Sequence, residues 1–214
     1  MSVIAPCITV ETAEDYKASV ERLHPFAQRV HIDISDGEFA PTFLLDATHI
    51  WWPKEWVVDI HAMVARPMEH LETLIALKPN LITFHVETGI DLIPIMDKIK
   101  KAGIKAGISL LRPTVPLTVS ALIKAADHVM IFSGDLGHYG GRASLMQLEK
   151  VRLVKAINPA AEIGWDGGVN MDNAYTLTQG GVDVLNVGGA IAKAPDPSVA
   201  YATLVTEINK HGVI

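Results

Sequence analysis

Eight short apolar runs, each followed by a segment of different periodicity, divide this chain from end to end, and that alternation limits its possible folds most severely. The runs span residues 3–8, 29–33, 57–62, 81–85, 105–110, 128–132, 162–165 and 183–187. Most are continuous rather than alternating in polarity, as expected of parallel strands covered on both faces. Residues 12–23, 67–77, 91–101, 117–126, 144–157, 171–179 and 197–210 instead carry apolar residues at helical intervals. In the first of these, Ala13, Tyr16, Val20 and Leu23 share a face, and Thr12, Glu14 and Asp15 suit a helix start. Pro67 opens the second, while Gly103 and Gly180-Gly181 stop two others. Residues 37–53 are the least regular and are expected to hold the remaining helix, distorted by a loop.

Hydrophobic residues make up 49% of 214 positions. That is enough for one sizeable core and too short a chain for two comfortable α/β domains. Eight strand–helix units therefore point to an α/β fold, a (β/α)8 TIM barrel forming a single domain over residues 1–214. A doubly wound open sheet is the structural alternative. It usually has fewer strands at this length and gives no reason for functional residues at several separate strand ends.

A net charge of −6 without any block of like charges gives no support to a nucleic-acid or membrane-surface partner. No apolar run approaches the ~20 residues that cross a bilayer. The single cysteine, Cys7, has no internal partner and fits a reducing cytoplasm, and the apolar start lacks a basic region, so it reads as a buried strand. Trp51, Trp52 and Trp56 are candidates either for core or for an interface in a homo-oligomer.

In a barrel, residues at the C-terminal strand ends converge on one site. Strand two ends in His31-Ile32-Asp33, where alternation sends both polar side chains to one side, and Asp36-Gly37 follows. Strand three ends in Asp59-Ile60-His61, strand four in His85-Val86-Glu87, and strand seven in Trp165-Asp166-Gly167-Gly168. A lone strand-end histidine is ordinarily a hydrogen-bonded structural residue, and His70, His128 and His211 take that reading. Two imidazoles and two carboxylates from three strand ends are harder to explain so. They suit Zn, Fe(II), Mn or Co, and they argue against an all-oxygen Mg or Ca site.

Glycine pairs in consecutive βα loops, Gly167-Gly168 and Gly188-Gly189, sit where barrel phosphate sites form from backbone N–H groups without Lys or Arg. A third glycine-rich stretch, residues 134–142, follows strand six and reads as a lid or a plain flexible loop.

Taken together, these residues resemble the ribulose-phosphate 3-epimerase family and its close relatives, such as allulose-6-phosphate epimerases. The resemblance covers almost the whole chain. It is carried by Ile4-Ala5-Pro6, by His31-Ile-Asp-Ile-Ser-Asp-Gly-Glu-Phe-Ala-Pro41, by Asp59-Ile-His-Ala-Met-Val64 with Arg66-Pro67, by Phe84-His-Val-Glu87, by Tyr139-Gly-Gly141 and by Asp166-Gly-Gly168. It implies one divalent metal on His31, Asp33, His61 and Asp166. It also implies that Asp33 and Asp166 are the acid/base pair at C3 of a small phosphorylated ketose, working through a metal-stabilised enediolate. Met63 would lie near the substrate, and the phosphate on the backbone around Gly140, Gly141, Gly167, Gly168, Gly188 and Gly189. D-ribulose 5-phosphate to D-xylulose 5-phosphate is the implied conversion.

The chain departs from the family pattern where substrate is read. Cys7-Ile8-Thr9-Val10 replaces a serine-bearing stretch, Thr42 replaces asparagine, and Ser35 and Phe132 replace methionines. His138 is inserted before Tyr139, and Arg142 stands where glutamine is usual. Another ketose phosphate, such as allulose 6-phosphate, or a non-catalytic sugar-phosphate-binding role are the alternatives. A hexulose-phosphate synthase or decarboxylase would want a lysine within residues 31–41, and none is there.

Overall fold

The computed structural model describes residues 2–138 and 141–210. Eight parallel strands, β1 (Val3–Ile8), β2 (Arg29–Ser35), β3 (Val57–Met63), β4 (Leu81–His85), β5 (Lys105–Leu110), β6 (His128–Phe132), β7 (Glu162–Asp166) and β8 (Val184–Val187), pair in sequence order. β1 then pairs β8, closing the barrel. The strand expectations are met within two residues at each end. No helix among the described residues is long and apolar enough to cross a membrane.

The helices are α1 (Ala13–Leu23), α2 (Pro67–Leu77), α3 (Ile93–Lys101), α4 (Ser120–Ala125), α5 (Glu149–Ile157), α6 (Ala174–Gln179), α7 (Gly189–Ala192) and α8 (Pro197–Ile208). Local chemistry sets their ends. Thr12 accepts the Asp15 N–H at the start of α1, and Asp196 accepts two N–H groups at the start of α8. The expected helix within residues 37–53 is absent. That connection contains a 3₁₀ turn, Ala47–His49, capped by Asp46. The chain there is bound instead across the strand ends, with Leu44 N–H donating to Ser35 O (3.2 Å) and Leu45 N–H to Val10 O (2.9 Å). Its place in the outer layer goes unfilled by a helix, and two helices, α7 and α8, follow β8.

Each strand separates two environments. Outward residues such as Val30, Ile32, Ile34, Val58 and Ile60 are buried beneath the helices, with Leu71, Leu74, Ile99, Val154, Leu177 and Leu204 facing them in one apolar cluster. Burial of each such side chain contributes about 1.5–3 kcal/mol. The inward faces of β2 and β3 are polar instead, with Arg29, His31, Asp33 and Ser35 alternating against the apolar residues. Of the tryptophans near the irregular connection, Trp56 is buried, Trp52 half-buried, and Trp51 half-exposed against Tyr16.

Candidate active site

Strand register assembles the site. Asp33 on β2 lies beside His61 on β3, and Asp166 on β7 lies between Phe132 on β6 and Asn186 on β8. Alternation turns His31 and Asp33 into the same interior, as expected. One ligand atom from each of His31, Asp33, His61 and Asp166 falls within 4.8 Å of every other. His31 Nε2 is 3.2 Å from Asp33 Oδ1 and 3.5 Å from Asp166 Oδ2, while His61 Nδ1 is 2.9 Å and 3.6 Å from the same two atoms. All four residues are buried.

Burial disfavours every charge in this cluster, so the charges that persist must support one another. Burial alone would lower the His31 pKa, but the Asp33 charge and a hydrogen bond to Asp166 outweigh it and raise the imidazole to about 10. Burial likewise raises Asp33, and the facing His31 pulls its carboxyl well below the usual carboxylate range. The cluster is thus a concentrated anionic site that demands positive charge from a proton or a cation. Two imidazole nitrogens and two carboxylate oxygens fit a divalent first-row metal, whose binding would displace the proton from His31.

Further groups hold these four. Thr9 Oγ1, just past β1, donates to Asp33 Oδ2 at 2.5 Å, so the altered stretch around the end of the first strand still presents a hydroxyl to this carboxylate. His61 Nε2 lies 2.8 Å from His85 Nε2, and His85 Nδ1 lies 3.3 Å from Glu87 Oε2. Burial lowers the His85 pKa to about 4, against a smaller opposing effect of Glu87. The rings of Phe39 and Phe132 pack on His85, with centroids 4.8 and 5.7 Å away. Asp36 is no ligand. Its carboxylate accepts N–H bonds from Glu38, Phe39 and Ala65, shaping the loop that carries Phe39.

A cavity of about 310 Å³ opens above the cluster. Asp33, Asp166 and Met63 line it, and so do Gly141, Gly167, Gly168, Gly188 and Gly189. Gly140 and Tyr139 lie outside the described residues. Gly167 and Gly168 have φ of +97° and +72°, and a Cβ on them would fall 2.0 Å from Gly134 N and 2.1 Å from Ala143 N. The β7–α6 loop therefore lies directly on the loop after β6, which leaves backbone rather than side chains facing the cavity.

Other expectations fall differently. Asp59, two residues before His61, lies in the strand's first half with Arg29, far from the mouth. His128 is structural, 2.9 Å from Glu162. His138 lies against Thr42, with Nε2 at 3.2 Å from Oγ1, so two departures from the family pattern meet each other. Residue-by-residue reading missed Lys193 and Asn186, which also line the cavity. Lys193 follows α7, where no motif marks it. Asn186 shares the layer of Asp166 across β8, a signal visible only once register is known.

Sequence and structure comparisons identify the family and the fold. The model of the "Ribulose-phosphate 3 epimerase family" matches residues 3–192. Ribulose-phosphate 3-epimerase from Helicobacter pylori is 30% identical over 185 residues, covering 83% of this chain and 85% of its own. The Mycobacterium leprae ribulose-phosphate 3-epimerase is 30% identical over 187 residues, 83% of each chain. Among solved structures, 3-hexulose-6-phosphate synthase from Salmonella typhimurium superposes with a TM-score of 0.70 at 17% identity, covering 97% of this chain and 98% of that one. At that identity it speaks for the barrel alone. With a family match over nearly the whole described barrel and the buried His/Asp cluster at its mouth, the chain belongs to the ribulose-phosphate 3-epimerase family of isomerases.

Proposed function

We propose that this chain inverts C3 of a phosphorylated ketose, with D-ribulose 5-phosphate and D-xylulose 5-phosphate as the substrate pair, using Asp33 and Asp166 as the two proton-transfer groups. One observation carries the reading: two buried carboxylates converge with His31 and His61 beneath a cavity whose wall also includes the glycine loops after β7 and β8. His31, Asp33, His61 and Asp166 would hold the divalent ion, which when bound supplies a Lewis acid toward the ketose oxygens. Zn, Fe(II), Mn and Co all suit the donor set.

The chain's own part is proton transfer and exclusion of water. One carboxylate removes the C3 proton and the other returns one to the opposite face, so the carbon inverts. Thr9 holds Asp33 through Oδ2, leaving Oδ1 turned toward His31 and His61. Phe132 covers the His61 and His85 rings at 5.8 and 5.7 Å and keeps this side of the site dry. Met63 packs as an apolar wall beside the reacting carbons, and the backbone at Gly141, Gly167, Gly168, Gly188 and Gly189 receives the phosphate, with Gly140 assigned the same role from the family pattern.

C3 proton exchange followed by NMR in deuterated water, across ribulose 5-phosphate, xylulose 5-phosphate and allulose 6-phosphate, tests the proposal. Exchange with inversion of the pentulose pair is the expected outcome. Exchange confined to allulose 6-phosphate would move the assignment to that sugar, and no exchange in metal-replete protein would overturn it. Among the described residues lining the cavity, Lys193 is the one Lys or Arg. It adds charge to a phosphate site otherwise made of backbone. Lys193→Met is expected to raise KM about tenfold and to weaken inhibition by inorganic phosphate, with kcat little changed. An unaltered KM would remove Lys193 from the phosphate site.

A further inference from the structure

We infer that Glu87, acting through His85, sets the tautomer in which His61 meets the metal, which makes Glu87 a positioning residue two side chains removed from the ion. The inference rests on reading the four-residue cluster as a metal centre. It follows from the nitrogens that face the carboxylates. His31 turns Nε2 toward Asp33 and Asp166, whereas His61 turns Nδ1 toward them. An imidazole nitrogen ligates an ion only through its lone pair, so His61 as a ligand carries its hydrogen on Nε2.

That hydrogen has one place to go. His61 is closed to solvent, and its Nε2 lies 2.8 Å from His85 Nε2. His85 therefore accepts there, and as the acceptor it carries its own hydrogen on Nδ1. The Nδ1–H donates to Glu87 Oε2 at 3.3 Å. The carboxylate is itself tethered, its Oε1 accepting from the Leu111 backbone N–H at 2.8 Å and from the Thr114 hydroxyl. A 3₁₀ turn over Val86–Thr88 folds Glu87 back against His85, two residues before it in the chain. The chain of donors runs from His61 to His85 to Glu87, and each link dictates the next.

Reversing it shows what Glu87 contributes. If His85 donated from Nε2, His61 would accept there and carry its hydrogen on Nδ1, the nitrogen aimed at the metal site. The same reversal would set a bare His85 Nδ1 against Glu87 Oε2, two acceptors facing each other in a buried place. An anchored carboxylate disfavours that arrangement, so once a cation replaces the hydrogen between His61 Nδ1 and Asp33 Oδ1, the tautomer it requires is the one Glu87 supports. Partners of this kind ordinarily change metal affinity by ~10–100-fold when removed.

The test uses zinc and full-length protein labelled with ¹⁵N-histidine. Long-range ¹H–¹⁵N spectra report which ring nitrogen bears hydrogen, and chelator competition reports zinc affinity. Zinc-loaded wild type is expected to show Nε2–H on His61 and Nδ1–H on His85. Glu87→Gln, whose amide can donate or accept toward His85, is expected to lose the single His85 tautomer and to bind zinc ~10–100-fold more weakly. Unchanged affinity and an unchanged histidine pattern in that variant would overturn the inference while leaving the metal centre standing. Wild type that takes up no stoichiometric zinc would overturn the metal reading, and the inference with it. Should Glu87→Gln fail to fold, His85→Gln and His85→Leu decide. The glutamine oxygen still accepts from His61, so it should keep more affinity than leucine, and equal affinities would overturn the inference.

Discussion

Replacing either Asp33 or Asp166 by asparagine is expected to lower C3 epimerisation by about 10²–10⁴-fold, the usual worth of a positioned acid or base. Asparagine keeps the shape of the carboxyl group and can still face the two histidines, but it cannot take up a proton. The two variants should not fail alike. In each, one carboxylate survives, and it still reaches the C3 proton of the epimer that presents hydrogen to its face. Asp33→Asn should therefore wash deuterium into one epimer without inversion, and Asp166→Asn into the other. Metal content must be measured alongside, because each aspartate is also one of the four clustered groups. Substantial epimerisation by either variant, with metal retained, would defeat the two-carboxylate scheme.

The second large effect lies at the opposite end of the barrel and concerns stability. Arg29 Nε donates to Asp59 at 2.6 Å, and its two terminal nitrogens donate to Glu162 at 2.9 and 2.8 Å. β2 and β7 are not neighbours, so this bidentate pair crosses the barrel interior and ties strands that share no ladder. Arg29→Met leaves two carboxylates without their shared cation. The expected loss is about 2–4 kcal/mol, short of the full cost for a completely buried pair because Glu162 is partly exposed. Urea midpoints near neutral pH would measure it, and a loss below ~0.5 kcal/mol would mean the network contributes no more than a surface pair.

The same network sets a pH dependence. Burial raises Glu162, but the Arg29 fork and His128 overcome it and hold the carboxyl well below the usual range. A folded-state pKa depressed in this way favours the ionised form. Its stabilisation is present in full above the unfolded value of 4.5 and is lost as pH falls below it. Wild type should therefore lose stability on acidification below about 4.5 more steeply than Arg29→Met, as followed by urea midpoints across pH 3–7. Parallel profiles would show that Glu162 does not carry this dependence.

Local signals account for much of what could be read in advance. The eight strands were visible because each is a short apolar run between turn or cap residues, and the helix starts at Thr12 and Pro67 obey capping chemistry that involves neighbouring residues alone. His31 and Asp33 could be assigned to one face because strand alternation is itself local. The absent helix in residues 37–53 could not be foreseen in that way. The backbone hydrogen bonds of that segment go to Ser35, at the end of β2, and to Val10, just past β1, and local propensity says nothing about such partners. Asp59 and His61 look equivalent in the motif and share a strand face, yet depth along the barrel sends one to Arg29 and the other to the buried His/Asp cluster.

What the amino-acid order determined by itself, then, is the repeating unit and the kinds of group at the site: eight strands, their inward alternation, and two imidazoles with two carboxylates at strand ends. Tertiary structure decided which of those groups meet. Closure of the barrel brings Asp166 from β7 within reach of His31 and His61 and sets Asn186 and Lys193 on the cavity wall, while pairing of β3 with β4 lines up Glu87, His85 and His61 in one chain of hydrogen bonds. The physical reason is range. Propensity and alternation act over a few residues, whereas a hydrogen bond between groups more than a hundred positions apart exists only after β1 has paired with β8.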